Sequence, residues 1–386
     1  MGVMRLESAK FQHWSNRPAI AALGYFDPQM IIYAGLLTGM GLVMAYSNDY
    51  SQGIDPFGGG STFTRGLLWA FLAMLVFVVA AAVDYRWLKS FALPIYLADL
   101  GLLAVTLKLG SGVGGASRWV SLLGMQFQFS ELAKILTAIV LASWLARRRD
   151  RLGSLSTIVG AGAIVGPALV LVALQPDLGT SLVFLAILGG MLFIAGASMR
   201  WLGLLAAGGV AAFPFVWTYL LRDYQRQRLI TFLDPTADPQ GSGYHVIQSM
   251  IAVASGGFSG KGLTNGPAAQ LNFLPVQSTD FVFAILSQEL GFIGGLVVLA
   301  LFVALLWRVL LVAWHSEDVF GVAFAGGIAS LLLFQMLVNV GMVIGIMPIT
   351  GIPLPFITYG GASLVSTAAG LGILQSINLR QAKPKW

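Results

Sequence analysis

Ten apolar runs, each about long enough to cross a bilayer, recur along this chain of 386 residues. They fall near 30–47, 66–83, 91–109, 132–146, 157–174, 180–197, 202–221, 281–307, 322–346 and 362–377. Only 10% of the residues are charged, against 57% hydrophobic. A soluble domain carries roughly 25% charged residues, so this chain could not cover a water-facing surface. In hydrocarbon every backbone polar group must be satisfied inside the chain, which leaves helices for runs of this length. The fold class is therefore all-α, a polytopic membrane helix bundle of about ten transmembrane helices. The fourth run is short unless Glu131 and the preceding turn are counted.

Basic residues set the orientation. Arg5, Lys10 and Arg17 precede the first run, and Arg86 and Lys89 lie between the second and third. Arg147, Arg148, Arg149 and Arg151, then Arg200, Arg308, Arg380, Lys383 and Lys385 complete one alternating set of connections. That set holds 14 of the 22 basic residues, so its side is read as cytoplasmic, with both termini there. The chain reads as one integral membrane domain, 1–386. It has a cytoplasmic tail at 1–28, a large extracytoplasmic loop at 222–279 and a second cytoplasmic tail at 378–386. The N-terminal stretch has no apolar core before a small-residue cleavage site, so it does not read as a removable signal peptide. There are no cysteines, which excludes disulfides, Fe–S clusters and Cys-zinc sites. Three scattered histidines argue against a His-based metal site. The net charge of +6 follows topology, so nucleic acid is not an expected partner.

The loop at 222–279 is too rich in Gly, Pro and polar residues to span. Within it, Tyr244 to Val253 places apolar residues at helical spacing, as an amphipathic or re-entrant helix would. The Pro/Gly-rich connection from Pro348 to Ser363 is too apolar for a solvated loop and is expected to fold back into the bundle. No internal repeat stands out, which weakens an inverted-repeat transporter reading.

Asp280 is the residue most pointed toward chemistry. It lies where the polar loop meets the eighth run, and a carboxylate there needs water, a partner or a substrate to stay ionised. Asp is equally a favoured helix N-cap. Glu131 and Lys134, three apart, share a helix face and can pair, either structurally or as part of a site. Ser130 could cap that helix. Arg118 beside Trp119 could anchor the interface or face a ligand. Asp177, between Pro176 and Leu178-Gly179, reads first as a turn cap. Arg226 and Arg228 run against the positive-inside bias. Their forks suit phosphate, in a substrate or in a lipid headgroup. Gly260-Lys261-Gly262 lacks the spacing of a P-loop. Asp99 stands alone inside the third run and reads as a buried group. Together these residues place acid, base and phosphate ligands on one outer face, which suits a phosphate-bearing lipid better than a soluble substrate.

The longest ordered motifs are Gly115-Ala-Ser-Arg-Trp119, Ser130-Glu-Leu-Ala-Lys134, Gln175-Pro-Asp-Leu-Gly-Thr180 and Asp223-Tyr-Gln-Arg-Gln-Arg228. Gly243-Tyr-His-Val-Ile-Gln-Ser249, Gly260-Lys-Gly262, Thr279-Asp-Phe281 and Gly351-Ile-Pro-Leu-Pro-Phe-Ile-Thr-Tyr-Gly-Gly361 complete the set. By these motifs, over essentially all ten runs, the chain resembles the SEDS family (shape, elongation, division and sporulation). The Tyr244–Ser249 wording is closer to the RodA branch than to the division paralogue FtsW. The family often reads Gln-Pro-Ser-Glu where this chain has Gln128-Phe129-Ser130-Glu131. It often reads Pro-Glu-x-His-Thr-Asp where this chain has Pro275-Val276-Gln277-Ser278-Thr279-Asp280. Asp280 is thus the only carboxylate of its motif.

The resemblance implies a peptidoglycan glycosyltransferase of cell elongation, in the bacterial cytoplasmic (inner) membrane with its active site on the outer face. It would polymerise lipid II into β-1,4-linked glycan strands, inverting the anomeric centre, with undecaprenyl diphosphate leaving. The implied partners are a class B penicillin-binding protein, lipid II, the growing glycan strand and the elongation machinery. The implied site has Asp280 as general base and Arg118, Glu131, Lys134, Asp177, Arg226, Arg228, Gln248 and Lys261 toward substrate. No cofactor is certain from the sequence. A divalent metal, Mg or Mn, could assist the diphosphate, but no dedicated cage is visible. A lipid II flippase, a non-catalytic cell-wall scaffold and an FtsW-type division paralogue are the competing readings.

Overall fold

The computed structural model describes residues 26–110, 118–122, 125–237, 241–270 and 279–380. Most of both tails, Gly114 to Ser117 and Pro275 to Ser278 lie outside the described residues. All ten apolar runs appear as helices. They are α1 (Pro28–Ser51), α2 (Thr62–Ala82), then, after the short α3 (Tyr85–Ser90), α4 (Ala92–Leu109). A two-stranded hairpin, β1 (Val120–Leu122) with β2 (Met125–Phe127), precedes α5 (Phe129–Arg147). Next come α6 (Leu155–Leu174), α7 (Leu178–Ile194) and α8 (Met199–Phe215). The long connection folds as α9 (Asp223–Leu233), α10 (Ser242–Gly256) and α11 (Pro267–Gln270). The chain then returns through α12 (Val282–His315), α13 (Val319–Val343) and α14 (Gly361–Arg380). Among the described residues nine helices are long and apolar enough to cross a membrane, and α7, with 17 residues, is a shorter apolar tenth.

The most enclosed helices are α5, α13 and α14, and α7 packs against α13. At the other extreme, α8 has no residue buried inside the chain. The sequence suggested one continuous helix to residue 221. Instead α8 holds Pro214 and passes into a π-helical turn, Val216–Leu220. Proline removes a helical donor and crowds the preceding turn, and a widened turn absorbs this.

The fourth run is not short, because α5 begins at Phe129. Its first turns carry Glu131 and Lys134, buried and paired at 2.8 Å. Each ion removes the other's isolated charge from the apolar interior. Ser130 does not cap α5. The N-cap position is Gln128, and Ser130 lies inside the first turn with its hydroxyl buried.

The eighth run is broken where the sequence suggested a single span. Gly291 inside α12 has φ 69°, which a residue with a Cβ rarely adopts. The segment after α10 closes the break. Lys261 N and Gly262 N donate to Gln288 O and Glu289 O at 3.0 Å each. Phe292 N donates to Gly257 O at 2.9 Å and Ile293 N to Phe258 O at 3.2 Å. Backbone groups freed by the break thus find partners, as membrane depth demands. Beside it, buried Glu289 accepts from Ser47 Oγ at 2.6 and 2.7 Å.

The amphipathic reading of 244–253 holds, with Val246, Ser249 and Ala252 of α10 buried at helical spacing. The connection between α13 and α14 folds back as expected, burying Ile352, Leu354, Phe356 and Ile357. Asp99 of α4 is buried and accepts from Thr137 Oγ1 at 2.7 Å. On the face opposite the site, three ion pairs tie helix ends together: Asp27–Arg308, Lys89–Asp318 and Asp84–Arg380.

Candidate active site

The site forms where the turn before α12, the turn between α6 and α7, helix α9 and the segment at 348–352 meet. Asp177 caps α7, accepting from Thr180 N at 3.2 Å and Thr180 Oγ1 at 2.9 Å. The cap reading is therefore correct, and it does not exhaust the residue. Gln128 Nε2 donates to Asp177 Oδ2 at 3.0 Å, and Arg118 Nη1 lies 3.9 Å from Oδ1. Arg118 also donates from Nε to Gln175 O at 3.3 Å and from Nη2 to Pro176 O. Its guanidinium is thus fixed on the α6–α7 turn rather than serving as an interface anchor.

Arg228 approaches from α9. Its Nη1 donates to Ile349 O at 3.4 Å, and its guanidinium carbon lies 5.8 Å from the centroid of the Tyr224 ring. Tyr224 Oη in turn donates to Pro176 O at 2.8 Å. Arg118, Arg228, Tyr224, Pro176, Ile349 and Thr350 help to line a cleft with room of about 80 Å³, and Asp280 lies beside this lining rather than in it.

Asp280 is half-buried just outside α12. The N-cap position of that helix belongs to Phe281, and among the described residues no side chain caps it. Asp280 is therefore not the N-cap that its position also allowed. Its Oδ2 packs on Gly351, where φ is 72° and an added Cβ would come within 3.4 Å of the carboxylate. Burial raises the pKa of Asp280 above its ordinary value. The charge of Arg228, a hydrogen bond from Thr279 and the charge of Arg118 oppose this, while Asp177 adds to it. Arg228, Arg118 and Asp177 thus share one electrostatic neighbourhood with Asp280.

The other expected residues lie elsewhere. Arg226 turns away, donating from Nε to Trp217 O at 2.9 Å and from Nη2 to Thr218 O at 2.8 Å. It closes the end of the π-helical turn after α8 and pairs with Asp223 at 3.6 Å. Lys261 has an exposed side chain and acts through its backbone at the α12 break. Gln248 is half-buried on α10 and does not line the cleft. Glu131 and Lys134 face each other inside α5. Sequence reasoning passed over Tyr224, Gln128, Thr350 and Asn339 as individual residues. Asn339 had a visible signal, since an amide inside a membrane run needs a reason.

A metal fits this donor set only partly. Asp177 is already engaged by Thr180, Gln128 and Arg118, which leaves Asp280, packed on Gly351, as the other carboxylate of this neighbourhood. Magnesium commonly takes one or two carboxylates plus phosphate oxygens and water, so substrate would supply most of its shell.

This architecture defines a multi-pass membrane protein with a carboxylate and two guanidinium groups gathered at one end of the bundle. The FtsW, RodA and SpoVE family model, described as cell cycle protein, matches residues 28–383. The peptidoglycan glycosyltransferase MrdB of Escherichia coli strain K12 is 41% identical over 309 residues, 80% of this chain and 83% of that one. The peptidoglycan glycosyltransferase RodA of Treponema pallidum is 32% identical, covering 94% and 99%. Among solved structures, a chain from a peptidoglycan synthase complex that coordinates polymerization and crosslinking superposes with a TM-score of 0.77. It is 30% identical and covers 92% of this chain and 97% of that one. The rod shape determining protein RodA of Thermus thermophilus superposes with a TM-score of 0.68, at 27% identity, covering 93% and 98%. The chain belongs to the FtsW/RodA/SpoVE family.

Proposed function

We propose that this peptidoglycan glycosyltransferase polymerises lipid II at the cleft beside Asp280. The observation that carries the reading is a carboxylate, Asp280, packed on Gly351 beside a cleft that Arg118 and Arg228 line, with both guanidinium charges acting on it. Asp280 takes the proton of the acceptor sugar's 4-hydroxyl as its oxygen attacks the donor's anomeric carbon. The new C–O bond forms while the bond to the diphosphate oxygen breaks. Undecaprenyl diphosphate leaves with both electrons of that bond. Single displacement inverts the centre, giving the β-1,4 linkage from an α-linked donor. The leaving charge is stabilised by cations rather than by an acid, and Arg228 and Arg118 are the cations at the cleft. Glu131 and Lys134 hold α5 in place rather than meeting substrate. A divalent metal would add Lewis-acid assistance to the diphosphate, and no step above depends on it. The test is glycan polymerisation from lipid II by the purified protein, with and without a class B penicillin-binding protein as the proposed partner.

The proposed location is the cytoplasmic membrane, with both termini cytoplasmic and the 222–279 connection outside. The chain has no cysteine, so single cysteines report cleanly. Thr236→Cys and Asn265→Cys should react with an impermeant maleimide added from outside. Labelling only from the cytoplasmic side would overturn the orientation.

The two arginines should separate in kinetics. Arg228→Gln removes a guanidinium from the cleft, and charge-assisted hydrogen bonds are worth about 1.5–3 kcal/mol, or roughly ten- to a hundredfold in turnover. Arg228→Lys keeps the charge and loses the fork, so it should remain impaired. Arg226→Gln should lower thermal stability while leaving turnover per folded molecule within about threefold, because its partners are helix-end carbonyls. Equal kinetic losses at both positions would remove the distinction drawn between them.

A further inference from the structure

Asp280 is held in place by groups outside its own helix. Asn339, fully buried on α13, donates from Nδ2 to two carbonyls, Asp280 O at 3.1 Å and Ile352 O at 2.8 Å. These carbonyls belong to different segments, the turn entering α12 and the connection between α13 and α14. Thr358 makes a second tie. Its Oγ1 donates to Thr279 O at 3.2 Å and accepts from Leu354 N at 2.8 Å. The orientation of the Asn339 amide follows from its partners, because only its NH₂ end can serve two carbonyl oxygens. Its Oδ1 is left buried without a hydrogen-bond partner among the described residues. A buried polar atom without a partner costs free energy, so an amide at this depth requires a compensating use of its donors.

The same connection meets Arg228, Asp280 and Asn339 in turn. Ile349 O receives Arg228, Thr350 lines the cleft, Gly351 packs on the Asp280 carboxylate, and Ile352 O receives Asn339. The backbone of Asp280 and the segment against its carboxylate are therefore fixed by one side chain. We infer that Asn339 is a positioning residue for the glycosyl transfer, clasping the Asp280 turn to the 349–352 segment, with Thr358 as the second tie. This rests on the proposed role of Asp280. A displacement of about 1 Å at a reacting group can cost on the order of a hundredfold in rate, so loss of the clasp should appear in kcat rather than in substrate affinity.

The experiment uses the full-length purified protein with lipid II. Asn339→Leu keeps a side chain of similar size and removes both donors. Its kcat should fall at least tenfold, with KM for lipid II within about threefold of the parent. The double variant Asp280→Asn/Asn339→Leu should be no slower than Asp280→Asn alone, because a residue acting through Asp280 has nothing left to position. Thr358→Val should lose activity and Thr358→Ser should retain it, since serine preserves the hydroxyl. This pair decides the question if Asn339→Leu fails to fold. Asn339→Leu turnover within twofold of the parent overturns the clasp, as do Thr358→Val and Thr358→Ser variants of equal activity. An active Asp280→Asn would remove the base and the clasp together. An inactive Asp280→Asn beside an active Asn339→Leu removes the clasp alone.

Discussion

Asp280→Asn should abolish glycan polymerisation while leaving the fold and lipid binding intact. An amide matches the carboxylate in shape and cannot take the proton of the acceptor hydroxyl. Loss of a general base costs roughly 10²–10⁴-fold, and the upper end applies where the same group orients the nucleophile. The structure sharpens the substitution. Among the described residues no side chain caps α12, so helix capping is not what Asp280 supplies, and a stable but inactive variant is the expected product. The parent should also show an acid limb in kcat/KM. Burial raises the Asp280 pKa, while Arg228, Thr279 and Arg118 restrain that rise. The base works only when deprotonated, so activity should fall as pH drops through a pKa above the ordinary aspartate value. Arg228→Gln removes the largest opposing charge and should move that limb to higher pH. Near-normal polymerisation by Asp280→Asn at matched expression and partner binding would sink the assignment.

Lys134→Met should be the most destabilising single change outside the cleft. It leaves the Glu131 carboxyl buried and without its 2.8 Å partner at the start of α5. Removing one member of a buried pair typically costs about 3–5 kcal/mol, because the remaining group is buried without compensation. Glu131→Gln/Lys134→Met removes both charges and should recover most of that loss. Thermal unfolding in detergent measures both variants. A single variant as stable as the parent would show that the pair contributes nothing to the bundle. A double variant that is stable yet inactive would instead return Glu131 and Lys134 to the substrate site.

Much of the site was legible before the fold. Asp280 stood out because a carboxylate at the mouth of a membrane run needs a reason, and Asp177 because Pro and Gly flank it. Arg226 and Arg228 looked alike, both basic residues on the sparsely basic side. Only their positions on α9 separated them. Residues two apart on a helix point about 200° away from each other, so Arg228 enters the cleft while Arg226 closes the end of the preceding turn. Lys261 was expected toward substrate, yet its contribution is a backbone amide at a helix break.

The sequence by itself determined a membrane bundle, the ten helices and the residues most suited to chemistry. Burial of backbone polar groups in lipid leaves an apolar run of twenty residues little choice but to become a helix. The break in α12, the π-helical turn after α8 and the meeting of Asp280 with Arg118 and Arg228 were decided by tertiary structure. The break and the grouping around Asp280 depend on hydrogen bonds and charges between segments far apart in the chain, whereas the π-helical turn rests on nearby Pro214 and Arg226. Asn339 and Asp280 are 59 residues apart, and local periodicity carries no information about such a pairing.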